Sequence, residues 1–287
     1  MLLRVRNLRV AFKMEGRLSV PVRNVSFEIP ENGRVALVGE SGSGKSLTAL
    51  TVGGLVDRAE ISGSIEGRPR IAYIFQNPMQ SLNPVMRVGR QVEEGLRGLK
   101  GLRGSGEARE SRVSSLLSSV GLPPGTERKY PCELSGGQQQ RVMIAMALAQ
   151  EPDLLIADEP TTALDVTTQK EVLDLVGRVA DARQMAVLLI THNLGLVARY
   201  STFVNVMYAG EIVECGEVAE VLRNPRHPYT QGLIAAVPRL DAPKDAPLMD
   251  IPGTVPPPWA WPSGCAFHPR CPKALPECRE RSVCQFA

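Results

Sequence analysis

Gly39-Glu40-Ser41-Gly42-Ser43-Gly44-Lys45-Ser46 fits the pattern G-x-x-x-x-G-K-[ST]. It stands between an apolar run, Arg34-Val35-Ala36-Leu37-Val38, and a proline-free stretch from Leu47 to Leu55 with apolar residues at helical spacing. That context reads as buried strand, turn and helix. The turn aims backbone N–H groups and a helix N-terminus at one point, where orphan donors and the helix dipole favour an anion. Gly39, Gly42 and Gly44 let the backbone bend around phosphates with no Cβ in the way. Lys45 is expected to reach the β- and γ-phosphates of a nucleoside triphosphate and Ser46 to ligate Mg²⁺, with Glu40, Ser41 and Ser43 completing the loop.

Such a site also needs a carboxylate for the metal and a group to orient the attacking water. Leu154-Leu155-Ile156-Ala157-Asp158-Glu159 is an apolar strand ending in two acids and stopped by Pro160. Residues at the C-terminal end of a parallel strand face the ligand crevice of an open α/β sheet. Asp158 is therefore expected on the metal side and Glu159 as general base. A second apolar run, Ala186 to Ile190, ends in Thr191-His192 and sets His192 at the same edge, towards the γ-phosphate. A third, Ile71-Ala72-Tyr73-Ile74-Phe75, ends in Gln76, a neutral side chain suited to sensing Mg²⁺ and water.

Leu134-Ser135-Gly136-Gly137-Gln138-Gln139-Gln140-Arg141 is a second glycine-rich turn, opening a helix that runs to about Gln150. It has no lysine, so it reads as half of a phosphate site. Taken in order with Gly39 to Ser46, Gln76, Asp158, Glu159, the Ala163-Leu164-Asp165 turn and His192, it makes the chain resemble the ATP-binding subunit of ABC transporters over residues 1 to about 225. The resemblance implies a P-loop, RecA-like α/β nucleotide-binding domain with an antiparallel β-subdomain and a helical signature subdomain. It also implies a head-to-tail dimer in which Ser135, Gly136, Gly137 and Gln138 close over ATP held by the other subunit's glycine loop. In that family an aromatic residue at the end of the first strand stacks on adenine, and Phe12 of Leu8-Arg9-Val10-Ala11-Phe12 occupies that place, with a plain core phenylalanine as the competing reading.

Composition sets the outer bounds. The 287 residues are 43% hydrophobic, enough for one large or two modest domains with a real core. A net charge of +3 gives no electrostatic case for a nucleic-acid partner. No apolar stretch approaches the roughly 20 residues of a spanning helix, and the N-terminus lacks a signal-peptide core. The expectation is a cytosolic chain whose membrane association comes through partners. Strands are expected near 3–10, 22–28, 34–38, 71–75, 153–157, 186–190 and 203–208, and helices near 47–56, 166–183 and 194–200, as a mostly parallel sheet covered by helices. Helical periodicity around Val88–Leu96 and Arg109–Val120, split by a Gly-rich segment from Gly95 to Gly106, marks a helical insert at about 86–150. In the family, that insert contacts the membrane-embedded subunits.

Residues 226–287 read as a C-terminal extension. From Pro238 to Pro262, eight of twenty-five residues are proline, which favours an extended connector. Asn224-Pro225-Arg226-His227-Pro228-Tyr229-Thr230 with the sequence after it, and Gln76-Asn77-Pro78-Met79-Gln80-Ser81-Leu82-Asn83-Pro84, resemble the oligopeptide, dipeptide and nickel importer branch of these ATPases. Four of the six cysteines, Cys265, Cys271, Cys278 and Cys284, crowd the last 23 residues at spacings x5, x6, x5. Four thiolates can hold an iron–sulfur cluster or Zn²⁺, and the C-x₂₋₄-C pairs usual for zinc are absent. The branch carries a [4Fe–4S] cluster on a segment matching Gly264 to Pro272, although its last cysteine lies further on than Cys284 does from Cys278. Nothing in the sequence of this segment links it to the catalytic strands, so its chemistry is expected to be independent of ATP. Cys132 and Cys215 read as small apolar positions. Asn193 stands where the branch usually has Asp.

These features predict an ATPase subunit energising an ABC importer of peptides, nickel or oligosaccharides at the cytoplasmic face of the membrane. The resemblance supplies its partners: a second ATPase subunit, paralogous or identical, two permeases and an extracytoplasmic solute-binding protein. A soluble ABC-type ATPase acting on DNA or ribosomes would carry long coiled-coil insertions or two cassettes, and neither is present. A non-hydrolysing regulatory cassette is disfavoured by the intact Lys45, Glu159 and His192.

Overall fold

The computed structural model describes residues 1–14, 16–96, 106–162, 164–237 and 249–281. Its first elements are β1 (Leu3–Met14), β2 (Arg17–Ile29), β3 (Arg34–Val38), α1 (Lys45–Val52), β4 (Glu60–Glu66), β5 (Ile71–Ile74), α2 (Pro78–Ser81), α3 (Val88–Gly95) and α4 (Gly106–Ser119). There follow α5 (Gly136–Ala149), β6 (Leu154–Asp158), α6 (Val166–Arg183), β7 (Ala186–Thr191), α7 (Leu194–Tyr200), β8 (Phe203–Tyr208), β9 (Glu211–Glu217), α8 (Val218–Arg223) and α9 (Pro228–Ala235). The chain forms two compact units: Met1–Gly67 with Leu188–Ala287, and Arg68–Val187.

The first unit joins parallel and antiparallel pairing, with strand order β4-β1-β2-β9-β8-β3. β3 and β8 are parallel, Val35 beside Phe203 and Val38 beside Val206. Both are buried along nearly their whole length, as continuous apolar runs covered on both faces must be. β1 and β2 form an antiparallel hairpin with Phe12 opposite Ser19, and β4 flanks β1. The expected strands omitted β4 and β9. Every residue of β4 is exposed, so Glu-Ile-Ser-Gly-Ser-Ile-Glu carries no burial pattern to read. β9 returns antiparallel to β8 through Ala209-Gly210, whose φ values of 49° and 80° suit a tight hairpin turn whose twist matches the strands.

The second unit is mainly helical. β5 and β6 pair in parallel, Ile71 beside Leu154 through Ile74 beside Ala157. Around them one core gathers Val92 of α3, Leu116 of α4, Val142 and Leu148 of α5 and Leu175 of α6. α3 and α4 fall on the two expected helical stretches; residues 97–105 of the Gly-rich segment between them lie outside the described residues.

The C-terminal extension is held by packing as well as by its connector. Ala266 and Phe267 are buried in the same cluster as Val38, Val204 and Tyr208 of the first unit. The Phe267 ring centre lies 5.1 Å from that of Tyr208 and 5.4 Å from that of Tyr229, contacts typical of edge-on aromatic packing. Pro258 O accepts from the Val20 amide at 2.9 Å, and Trp261 Nε1 donates to Val20 O at 2.9 Å, which fastens the proline-rich stretch to β2. Among the described residues no helix is long and apolar enough to cross a membrane.

Candidate nucleotide site

In the first unit, the glycine loop leads from β3 into α1. Gly44 takes φ +100° directly before the helix, and a Cβ there would meet Pro21 O at 2.6 Å; at Gly39 a Cβ would meet Met207 O at 2.1 Å. Both positions therefore require glycine, because β2 and β8 press against the loop. Lys45 is buried, and its Nζ donates to Gly39 O and Glu40 O, each at 2.8 Å. The ammonium thus sits inside the curve of the turn. Ser43 O accepts from Gly210 N at 3.0 Å, and Glu40 N donates to the Tyr229 hydroxyl at 2.8 Å. Ser46 is exposed at the start of α1.

Glu40 was expected among the loop's nucleotide contacts, and its carboxylate has another partner. Arg270 donates to its Oε2 at 2.6 Å and its Oε1 at 3.1 Å. This planar two-point pair sits one residue before Cys271, so the Cys-rich segment is joined to the glycine loop. That bond is a link that no local feature of the segment's sequence announces.

In the second unit, β6 ends with Asp158 buried, and the Tyr73 hydroxyl of β5 donates to its Oδ2 at 2.8 Å. Burial, then the Asp158 charge, raises the Tyr73 phenol well above its ordinary range, so it stays a proton donor. Gln76 Nε2 and Thr162 Oγ1 both donate to Glu159 Oε2 at 3.0 Å. Glu159 has φ 44°, an unusual backbone for a non-glycine residue and one that clusters at functional sites. The structure thus gathers Gln76, Asp158 and Glu159 with Tyr73 and Thr162. Sequence reading missed the last two. Tyr73 shows its role only as a polar tip in an apolar strand.

The signature turn is also in the second unit. Ser135 caps α5: its Oγ accepts from Gln138 N at 3.3 Å, and Gln138 Oε1 accepts from Ser135 N at 3.0 Å. Ser135, Gly136, Gly137 and Gln138 line a cavity of about 470 Å³ with Asp165 and Thr168. Asp165 caps α6, and hydrogen bonds from the Thr168 backbone and hydroxyl hold its carboxyl below the usual range. Ala163 lies outside the described residues.

Phe12 is half-buried on β1, and His192 is exposed just after β7. Asn193 caps α7, accepting from Gly195 N at 2.9 Å and Leu196 N at 3.3 Å, which gives the departure at this position a local role. Cys132 is exposed rather than an apolar core position, and Cys215 is half-buried. In the tail, Cys265 N donates to Cys278 O at 2.9 Å. Burial raises the Cys265 thiol, and the nearby Cys278 and Cys271 add to the effect. Among the described residues no group of three or more His, Cys, Asp or Glu is placed to hold a metal ion. The described thiols therefore do not form a ligand set for a [4Fe–4S] cluster, and Cys284 lies outside the described residues. Mg²⁺ asks less of the protein, because it keeps waters and phosphate oxygens around one or two side chains. Ser46 of the first unit and Asp158 of the second each carry the kind of oxygen donor it takes.

A buried lysine in a glycine turn heading a helix, and an acid pair closing a parallel strand, define a P-loop nucleoside triphosphatase. The ABC transporter family profile matches residues 22–162, and the profile of the oligopeptide/dipeptide transporter C-terminal region matches residues 213–278. The chain is 44% identical to a peptide import ATP-binding protein of Brucella abortus over 96% of its own length and 89% of that protein, and 46% identical to one of Brucella ovis over 96% and 91%. A dimeric ATP-binding cassette solved in a post-hydrolysis state with ADP and Pi superposes with a TM-score of 0.68 at 28% identity, covering 76% of this chain and 99% of that one. The chain belongs to the ABC transporter family, as an ATP-binding and ATP-hydrolysing subunit.

The start of α9 makes the first unit acid-sensitive. His227 is buried, its Nδ1 accepts from Tyr229 N at 3.1 Å, and its own amide donates to Glu214 at 3.0 Å. Burial lowers its pKa from 6.5 to about 4, with Glu214 pulling the other way. The fold therefore holds neutral imidazole. The unfolded chain takes up the proton first, so this stabilisation is complete above pH 6.5 and is lost as pH falls through about 4. Urea midpoints measured from pH 7 to pH 4.5 should fall more steeply for the natural protein than for His227→Gln; equal slopes would contradict this account.

Proposed function

We propose that the chain energises a peptide importer, binding Mg-ATP at Gly39 to Ser46 and hydrolysing it with Glu159 as general base. The observation that carries the cargo class is the pairing, in one chain, of an ABC transporter cassette with an oligopeptide/dipeptide transporter C-terminal region. Relatives named for peptide import support it. Nickel and oligosaccharides belong to the same branch and are the alternative cargoes.

The roles follow from the chemistry of each side chain. Lys45 and the loop amides neutralise the phosphates, and Phe12, half-buried on β1, stacks on adenine. Asp158 and Ser46 would hold Mg²⁺, which would supply charge neutralisation of the phosphates, and Gln76 would sense it beside Glu159. Glu159 polarises the attacking water, positioned by Gln76 and Thr162 on one carboxylate oxygen. His192 contacts the γ-phosphate. Ser135, Gly136, Gly137 and Gln138 act in trans, across a head-to-tail dimer with a second ATPase subunit that is a paralogue or a second copy. Capping already directs the Ser135 hydroxyl and the first amides of α5 to one spot, which suits a phosphate.

We assign residues 1–225 to the cassette, with the helical part at about 86–150, and 226–287 to the extension. Two permeases and a solute-binding protein complete the importer, and the subunit works peripherally at the cytoplasmic face. Poor hydrolysis by a lone subunit follows from the in-trans arrangement.

Glu159→Gln keeps the shape of the side chain and removes the base. ATP turnover of the assembled transporter should fall about 10²-fold or more while ATP binding persists. Near-normal turnover would remove Glu159 from this role.

The tail thiols are also proposed to bind a [4Fe–4S] cluster, on the strength of their number and of the likeness of Gly264 to Pro272 to the branch's segment, with the cluster itself drawing together Cys265, Cys271 and Cys278, which the structure leaves ungathered. Protein purified without oxygen should contain about four irons per chain. Stoichiometric zinc, or no metal in protein made with abundant iron and sulfide, would overturn the cluster.

A further inference from the structure

Three groups of Glu40 are tied to three different parts of the first unit. Its amide donates to Tyr229 of α9, its carbonyl accepts from Lys45, and its carboxylate receives the Arg270 fork. Glu40 O also accepts from Ser43 N at 3.2 Å, closing the turn. The phosphate-binding lysine therefore rests on a peptide group whose position α9 and the tail control.

Arg270 is built for this task. Its side chain is 6% exposed, against 28% for Glu40. Besides the carboxylate, the guanidinium donates to Pro252 O at 2.7 Å, Ile251 O at 3.0 Å and Gly253 O at 3.2 Å. Those carbonyls fix the plane of the fork, and a bidentate guanidinium–carboxylate pair holds geometry better than an ammonium can. The aromatic packing of Phe267 with Tyr208 and Tyr229 supplies a rigid base.

We infer that the C-terminal segment completes the nucleotide site, with Arg270 acting through Glu40 as a positioning residue for ATP binding. The inference rests on the assignment of Gly39 to Ser46 as the ATP loop. A loop held in its binding shape before ATP arrives loses less conformational freedom on binding, so the anchor raises affinity without touching the nucleotide. The sign of the effect separates this from simple charge. Removing an anionic side chain beside a triphosphate should tighten binding by electrostatics alone. Removing an anchor should weaken it.

The test is the affinity of the purified full chain for Mg-ATP, by fluorescence of a labelled ATP analogue and competition with ATP. Glu40→Ala and Arg270→Met should each raise Kd on the order of tenfold, within the usual range of coupling between sites. Arg270→Lys should fall between, and Glu40→Ala with Arg270→Met together should be no worse than either alone. Glu40→Ala leaves Arg270 its three carbonyl partners, so it tests the anchor even if Arg270→Met loosens the tail. Unchanged or tighter binding in Glu40→Ala, or additive effects in the double variant, would overturn the positioning role. Lys45→Ala serves as control: lost binding there with normal binding in the other variants refutes the anchor alone, whereas retained binding in Lys45→Ala refutes the loop assignment and the inference with it.

Discussion

A loop that wraps a triphosphate must hold several backbone amides in one concave turn before the ligand arrives, and an isolated glycine turn would not keep that shape. Here the shape comes from outside the loop. Pro21 of β2 and Met207 of β8 leave no room for a Cβ at Gly44 and Gly39, Gly210 in the β8–β9 turn bonds to Ser43 O, and Tyr229 and Arg270 fasten Glu40. Lys45 then has two loop carbonyls to rest on. Segments separated by more than two hundred residues thus fix eight residues of loop. The order of the first unit follows from this need: its parallel strands aim the loop, and its antiparallel strands and tail brace it.

The acid half follows a similar logic. A carboxylate at the end of a buried strand needs partners for its oxygens. Asp158 finds the Tyr73 hydroxyl and Glu159 finds Gln76 and Thr162, so β5 and the turn after β6 orient the groups to which we assign the chemistry. The positive φ of Glu159 marks the sharp turn that separates the two acids onto different partners.

Sequence made the local parts of this arrangement legible. The apolar runs of β3, β5, β6, β7 and β8 and the glycine spacing each announce themselves within about ten positions. β4 stayed hidden because an edge strand exposed on every residue shows no alternation, and β9 because its entry, Ala209-Gly210, lacks the usual Asn-Gly or Asp-Gly signal. The bond between Arg270 and Glu40 had no local signal at all. Arg270 lies between a proline and a cysteine in a segment whose cysteines draw the eye to metals, and its meaning depends on packing between distant segments. Tyr229 is similar: the stretch around it marks a branch of the family, whereas its hydrogen bond to the glycine loop is a tertiary fact.

The central claim is that the glycine loop is preorganised by α9 and the C-terminal segment in the absence of nucleotide. Amide hydrogen exchange at Glu40, in the nucleotide-free full chain and in Tyr229→Phe, tests it most directly. The account predicts a protected Glu40 amide in the natural protein and exchange about tenfold faster once the hydroxyl is removed, with the amides of β3 unchanged. A Glu40 amide that already exchanges freely in the natural chain, or one equally protected in Tyr229→Phe, would contradict it.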